Sequence, residues 1–121
     1  MKVTCFTQLE AWKKAHALAL EVYKFTRAFP VEERFALVPQ MRRAAVSVPA
    51  NIAEGFARRG TADKARIYNI AQGSAEELKY YLLLCRDVGY ETASSWLLLG
   101  DACRLLAGLI RSLRPPSADE A

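Results

Sequence analysis

Apolar residues recur every three to four positions along four stretches of this chain, and no stretch reads as a strand. In the first, Trp12, Ala15, Leu18, Val22 and Phe25 share one helical face, widened by Leu9, Leu20 and Tyr23. The pattern predicts a helix from about Gln8 to Ala28, with Thr7 as its N-cap. Phe29-Pro30 ends it, because the residue before a proline avoids the helical region. Glu32 to Ala36 leaves room for one short turn. Pro39 suits the first turn of a second helix, where its missing N–H matters least. That helix is expected to reach about Arg58, with Pro49 kinking it by removing the bond to residue 45. After the Gly60-Thr61 turn a third helix runs from about Ala62 to Val88, closed by Gly89. Gly73 and Ser74 within it permit a bend or the close approach of another backbone. The fourth opens at Thr92 and ends near Leu113, its stripe Trp96, Leu99, Cys103, Leu106, Ile110 and Leu113 keeping a heptad-like spacing.

Four amphipathic helices with short connections predict an all-α fold, an up-down-up-down antiparallel four-helix bundle. At 121 residues the chain suits one core. The expected domain is residues 1–114, followed by a short disordered acidic tail over 115–121 beginning at Pro115-Pro116. Leu97, Leu98, Leu105 and Leu109 lie off the seam of the fourth helix and make its apolar face wider than a bundle core uses. A second buried surface, and so a homo-oligomer, is the expectation that follows.

The second helix also carries a polar stripe. Met41, Ala45, Val48 and Ile52 form its apolar face, while Arg43, Ser47, Asn51 (or its neighbour Ala50) and Glu54 repeat the same spacing two residues later. The polar stripe holds no lysine and no run of like charge. It is expected to bond a specific partner: a neighbouring helix, a neighbouring subunit or a ligand. Arg43 and Glu54 are expected to be structural, each paired with groups on a neighbouring helix or subunit.

Charge narrows the function classes. The chain carries a net +4, and its first 66 residues hold 12 Lys and Arg against 6 Asp and Glu, while the remainder holds 5 against 7. A basic half points to an anionic partner, nucleic acid or acidic protein. The densest cationic cluster, Arg58, Arg59, Lys64 and Arg66, flanks the turn between the second and third helices. With Arg42 these are the candidate phosphate contacts, since the arginine fork matches phosphate oxygens. Phe56 and Tyr68 are the nearby aromatic residues that could stack on bases. Cations near the end of a helix are also favoured by its dipole.

Catalytic constellations are missing from the sequence. The single histidine, His16, sits beside Trp12 and Leu20 as a packing residue. No HExxH, CxxC, ExxH, GxxxxGK[ST] or GxGxxG string occurs, so no metal, no cofactor and no enzymatic activity are expected. No apolar run approaches the roughly 18 residues of a membrane span, and the N-terminus lacks an apolar secretory segment. Cys5, Cys85 and Cys103, odd in number and unpaired in spacing, read as reduced thiols of a cytoplasmic protein.

Longer strings carry a resemblance. Leu9 to Ala15 (Leu-Glu-Ala-Trp-Lys-Lys-Ala), Phe29-Pro30 with Glu33, Gln40 to Gly55 with its Arg-Arg-Ala…Ser…Pro…Asn-Ile-Ala-Glu-Gly, Ala71 to Leu78, and Leu109 to Leu113 resemble the four-helix bundle family of the 23S rRNA intervening-sequence proteins. The likeness covers about residues 6–114. Founding members are encoded within insertions in bacterial 23S rRNA genes. A related branch is the accessory variability determinant of diversity-generating retroelements, a basic homopentamer that binds nucleic acid and contacts a reverse transcriptase. The resemblance therefore implies a pentameric bundle whose partner is RNA, DNA or a protein. One expectation is a nucleic-acid-binding accessory protein. The alternative is a structural adaptor that binds a protein such as a reverse transcriptase, its arginines serving inter-subunit contacts. The chain departs from the family pattern at Pro39, at Ala57-Arg58 and in lacking a lysine-rich tail.

Overall fold

The computed structural model describes residues 2–113, and within them four helices follow one another with no strand. α1 spans Glu10–Thr26, α2 Leu37–Ala57, α3 Thr61–Val88 and α4 Ser95–Arg111. Each helix packs on its neighbours in the chain, and α1 closes the ring against α4. Short loops require this arrangement of an antiparallel bundle. The α2–α3 seam is the most extensive and the α3–α4 seam the thinnest.

The apolar stripe of α2 faces inward as its spacing predicts: Met41, Ala45, Val48 and Ile52 are all fully buried. They meet Leu18 and Val22 of α1 and Leu78 and Leu82 of α3 in one contiguous core. α2 passes through Pro49 without a break, with the proline ring buried. Gly55 marks the closest approach of α2 to α3. A Cβ there would lie 2.6 and 2.7 Å from two atoms of the Tyr68 ring. Only glycine lets the buried Tyr68 pack flat against α2.

Several element ends differ from the periodicity. Thr7 does not cap α1; it lies in a 3-10 turn, Phe6–Gln8, that precedes the helix. The Gln8 side-chain amide oxygen reaches back to accept the Thr4 and Cys5 backbone amides at 2.8 and 3.1 Å, so this turn carries its own cap. α4 opens at Ser95 and not at Thr92, because the Ser95 hydroxyl donates to the Thr92 carbonyl and Ala93 turns through the left-handed region at φ 52°. Gly73 meets nothing within 4 Å of a notional Cβ, so among the described residues no other backbone comes close there. The leucines of α4 are also less free than the sequence suggests. Leu98, Leu105 and Leu109 are half-buried against the chain's own core, and only Leu97 stands out, at 70% exposure. The expected tail, 115–121, lies outside the described residues.

One clasp fixes the bundle end where α1 meets α2. α3 stops at Gly89 (φ 89°), where the Tyr90 amide donates to the Cys85 carbonyl and the Gly89 amide to that of Arg86. This turn aims Tyr90 at the α1–α2 connection. Its ring packs 4.9 Å from Phe29, and its hydroxyl donates to Glu33 at 2.8 Å. The segment from Val31 to Ala36 is thereby held, and it carries Phe35 out of the surface at 88% exposure.

Candidate functional site

Two residues of the α2 polar stripe, Arg43 and Ser47, find partners on α3. The Arg43 guanidinium donates to Glu77 at 2.5 Å, and the Tyr81 hydroxyl donates to the same carboxylate at 2.6 Å. Ser47 and Ser74 share a hydrogen bond of 2.8 Å, and the Asn51 amide donates to the Ser47 carbonyl and hydroxyl at 2.8 and 2.9 Å. The Tyr81 hydrogen bond, with Arg43 behind it, holds the Glu77 carboxyl below its ordinary range. Glu77 in turn raises both Arg43 and Tyr81. Glu54 departs from the group: it pairs with Arg58, one turn along its own helix, at 2.6 Å. The Arg43 side chain is 59% exposed, so this seam is a wet polar edge and not a buried ion pair.

The cluster at the α2–α3 turn is already engaged with itself. Arg58 bonds Glu54 and lies 3.7 Å from Asp63, which also accepts from Arg66 at 2.8 Å. The Lys64 ammonium donates to the Phe56 and Gly55 carbonyls at 2.6 and 3.3 Å, closing the C-terminal end of α2, where a cation meets the helix dipole favourably. Arg59 is exposed and has no carboxylate partner among the described residues. The proposed stacking pair is unsuited to its task. Tyr68 is 1% exposed beneath Gly55, and Phe56 is half-buried with the Lys64 ammonium 5.2 Å over its ring.

Arg42 does not join that cluster. It lies sixteen residues from Arg58 on α2, about 24 Å along the axis, and packs on the end of α1. Its Nε donates to the Thr26 hydroxyl at 3.0 Å, and its guanidinium covers the Tyr23 ring at 4.6 Å. Thr26 itself donates to the Val22 carbonyl at 2.6 Å, so a buried hydroxyl orients the arginine. Two adjoining clefts open here, of about 520 and 590 Å³, sharing Arg34, Val38, Pro39 and Arg42. Arg27 lines one and Arg43 the other. The linings hold four arginines and no carboxylate. Arg27, Arg34 and Arg42 have no ion-pair partner among the described residues.

The five candidate contacts are therefore divided between opposite ends of the bundle. Sequence spacing could not show that Arg27 and Arg34, on α1's end and in the connection, converge with Arg42. Phe29-Pro30 and the arginines around it were the available signal.

A family model for the 23S rRNA-intervening sequence protein matches residues 7–112. The chain belongs to this family. A search of curated proteins returned no match. The strings that carry the intervening-sequence family resemblance now have structural reasons: Ser47 and Asn51 build the α2–α3 seam, and Gly55 admits Tyr68. His16, the lone histidine, stacks on Trp12 with ring centroids 4.8 Å apart. Among the described residues no group of three His, Cys, Asp or Glu is placed to hold a metal, and no helix is long and apolar enough to cross a membrane.

Proposed function

We propose that this chain is a non-catalytic, homo-oligomeric accessory protein that binds nucleic acid through its arginine-lined end. Five copies are the expected assembly, by the resemblance to the retroelement branch of the fold. The observation that carries the reading is the carboxylate-free lining of the α1–α2 clefts, where Arg27, Arg34 and Arg42 remain without an anionic partner among the described residues. Uncompensated guanidiniums on a held backbone suit phosphate oxygens. Arg58, Arg59, Lys64 and Arg66 make a second, weaker basic region, because Glu54 and Asp63 offset much of its charge. Repetition of both regions by symmetry would add weak contacts into a useful affinity.

The test is a titration with short RNA and DNA strands at two salt concentrations. Binding at micromolar concentration or tighter is expected at low salt, falling with a log–log slope of roughly −0.7 to −0.9 per phosphate neutralised. Arg27→Glu with Arg34→Glu should weaken it more than Arg58→Glu with Arg59→Glu. Absence of binding at low salt overturns the reading. It would leave the adaptor for a protein partner such as a reverse transcriptase, which exposed Ile70, Tyr80 and Leu97, outside the clefts, favour.

A further inference from the structure

Phe35 is the most exposed large apolar side chain among the described residues, at 88%, with Val31 at 76% four residues before it. It stands in no flexible tail. The Tyr90–Glu33 bond and the Phe29–Tyr90 packing hold the segment that presents it. Arg34 lies over its ring at 5.6 Å, and Tyr23, 37% exposed, lies under Arg42 in the adjoining cleft. Aromatic faces and arginines thus alternate along clefts whose linings hold no carboxylate, Glu33 of the same segment being turned to the Tyr90 hydroxyl. Water-exposed aromatic area on a fixed backbone is unfavourable unless a partner covers it.

From this juxtaposition we infer that the α1–α2 end is a single-strand site, in which an unpaired base stacks on Phe35 while flanking phosphates engage Arg27, Arg34 and Arg42. The inference rests on the nucleic-acid reading above and narrows it to one ligand class. A single strand offers one anionic group and one π face per nucleotide, which is the alternation the surface presents. A duplex keeps its bases stacked on each other and offers Phe35 no free face. An acidic peptide would supply charge but needs a separate apolar anchor for Phe35. The clefts, at about 520 and 590 Å³, are within the size range of small-ligand pockets and admit a nucleotide.

The experiment uses the full chain, a labelled ten-nucleotide single-stranded RNA and a duplex of the same sequence, read by fluorescence anisotropy. A second strand carries 2-aminopurine at its centre. Wild type should prefer the single strand and quench the 2-aminopurine. Phe35→Ala should weaken single-strand binding about 10-fold and abolish the quenching, while Phe35→Trp should retain both. Circular dichroism checks that the variants fold; an 88%-exposed side chain leaves the core untouched. Equal affinity for single strand and duplex, or unchanged binding and quenching in Phe35→Ala, overturns the inference and leaves the nucleic-acid reading standing. Displacement of the strand by a glutamate- and phenylalanine-rich peptide of equal charge also overturns it, and marks a protein-docking surface. Wild type that binds neither RNA at low salt removes the nucleic-acid reading itself.

Discussion

Gly55 has no room for a side chain. The Tyr68 ring occupies the place where a Cβ would stand, and Tyr68 is buried between helices that cannot part without opening the core. Gly55→Ala should therefore destabilise the fold by about 1–3 kcal/mol through overpacking. Urea unfolding would show it as a lower midpoint with an unchanged slope, and an unchanged midpoint would contradict it. The composition of α2 does not reveal this demand, because a glycine's reason lies in what faces it from another helix. The same gap in the sequence explains Gly73, which reads like a close-packing glycine and yet meets nothing among the described residues. Phe35 is a further case: nothing in its sequence surroundings shows that the clasp through Tyr90 holds the segment that presents it to solvent. The cysteines were more legible in kind than in environment. Burial pushes Cys85 up to about 11, whereas the Thr7 hydroxyl bond lowers the exposed Cys5.

Between elements, the legible part is the apolar register and the hidden part is which polar groups meet. Met41, Ala45, Val48 and Ile52 had to face the core, and that placed Arg43, Ser47 and Asn51 along one edge. The partners of Arg43 and Ser47 come from α3, whose register against α2 is set by packing such as Tyr68 on Gly55, while Asn51 bonds back to Ser47 on its own helix. The sequence therefore could not pair Arg43 with Glu77, whereas the Glu54–Arg58 pair follows the i,i+4 spacing within one helix. The helix starts were misread at Thr7 and Thr92 because a nearby side chain builds a turn first, Gln8 in one case and Ser95 in the other. The seam makes a signed prediction. Glu77 has a lowered pKa in the fold, so its contribution is present above the ordinary carboxylate value of about 4.3 and is lost as pH falls through the folded value. The stability difference between wild type and Glu77→Gln should be positive at pH 7 and shrink in acid below that range. Because the Arg43 side chain is 59% exposed, the difference should also be small and shrink with salt. A difference independent of pH would assign Glu77 a packing role instead.

At the scale of the whole molecule, α3 and α4 leave something unexplained by one chain. Gly73 sits midway along the 28-residue α3, exposed, and Gly100 sits within α4, also exposed; neither would crowd a Cβ. Each glycine inside a helix costs about 0.5–1 kcal/mol relative to alanine. Gly55 returns that cost through Tyr68, but Gly73 has no return inside the described fold. Gly73 also borders a cleft of about 430 Å³ on the thin α3–α4 seam, lined on the other side by Cys103, one turn beyond Gly100. A second copy packed against this face would use the missing side chains to bring backbones together. The homo-oligomer proposed here is then expected to form through α3 and α4 and to leave the arginine-lined end free. Sedimentation of wild type at micromolar concentration should show one species several times the monomer mass, five times if the retroelement-like assembly holds. Gly73→Arg should leave the bundle folded, and raise its intrinsic helix stability, while shifting the species toward monomer. A wild-type monomer at that concentration ends the assembly proposal, and an intact oligomer in Gly73→Arg moves the interface to another face.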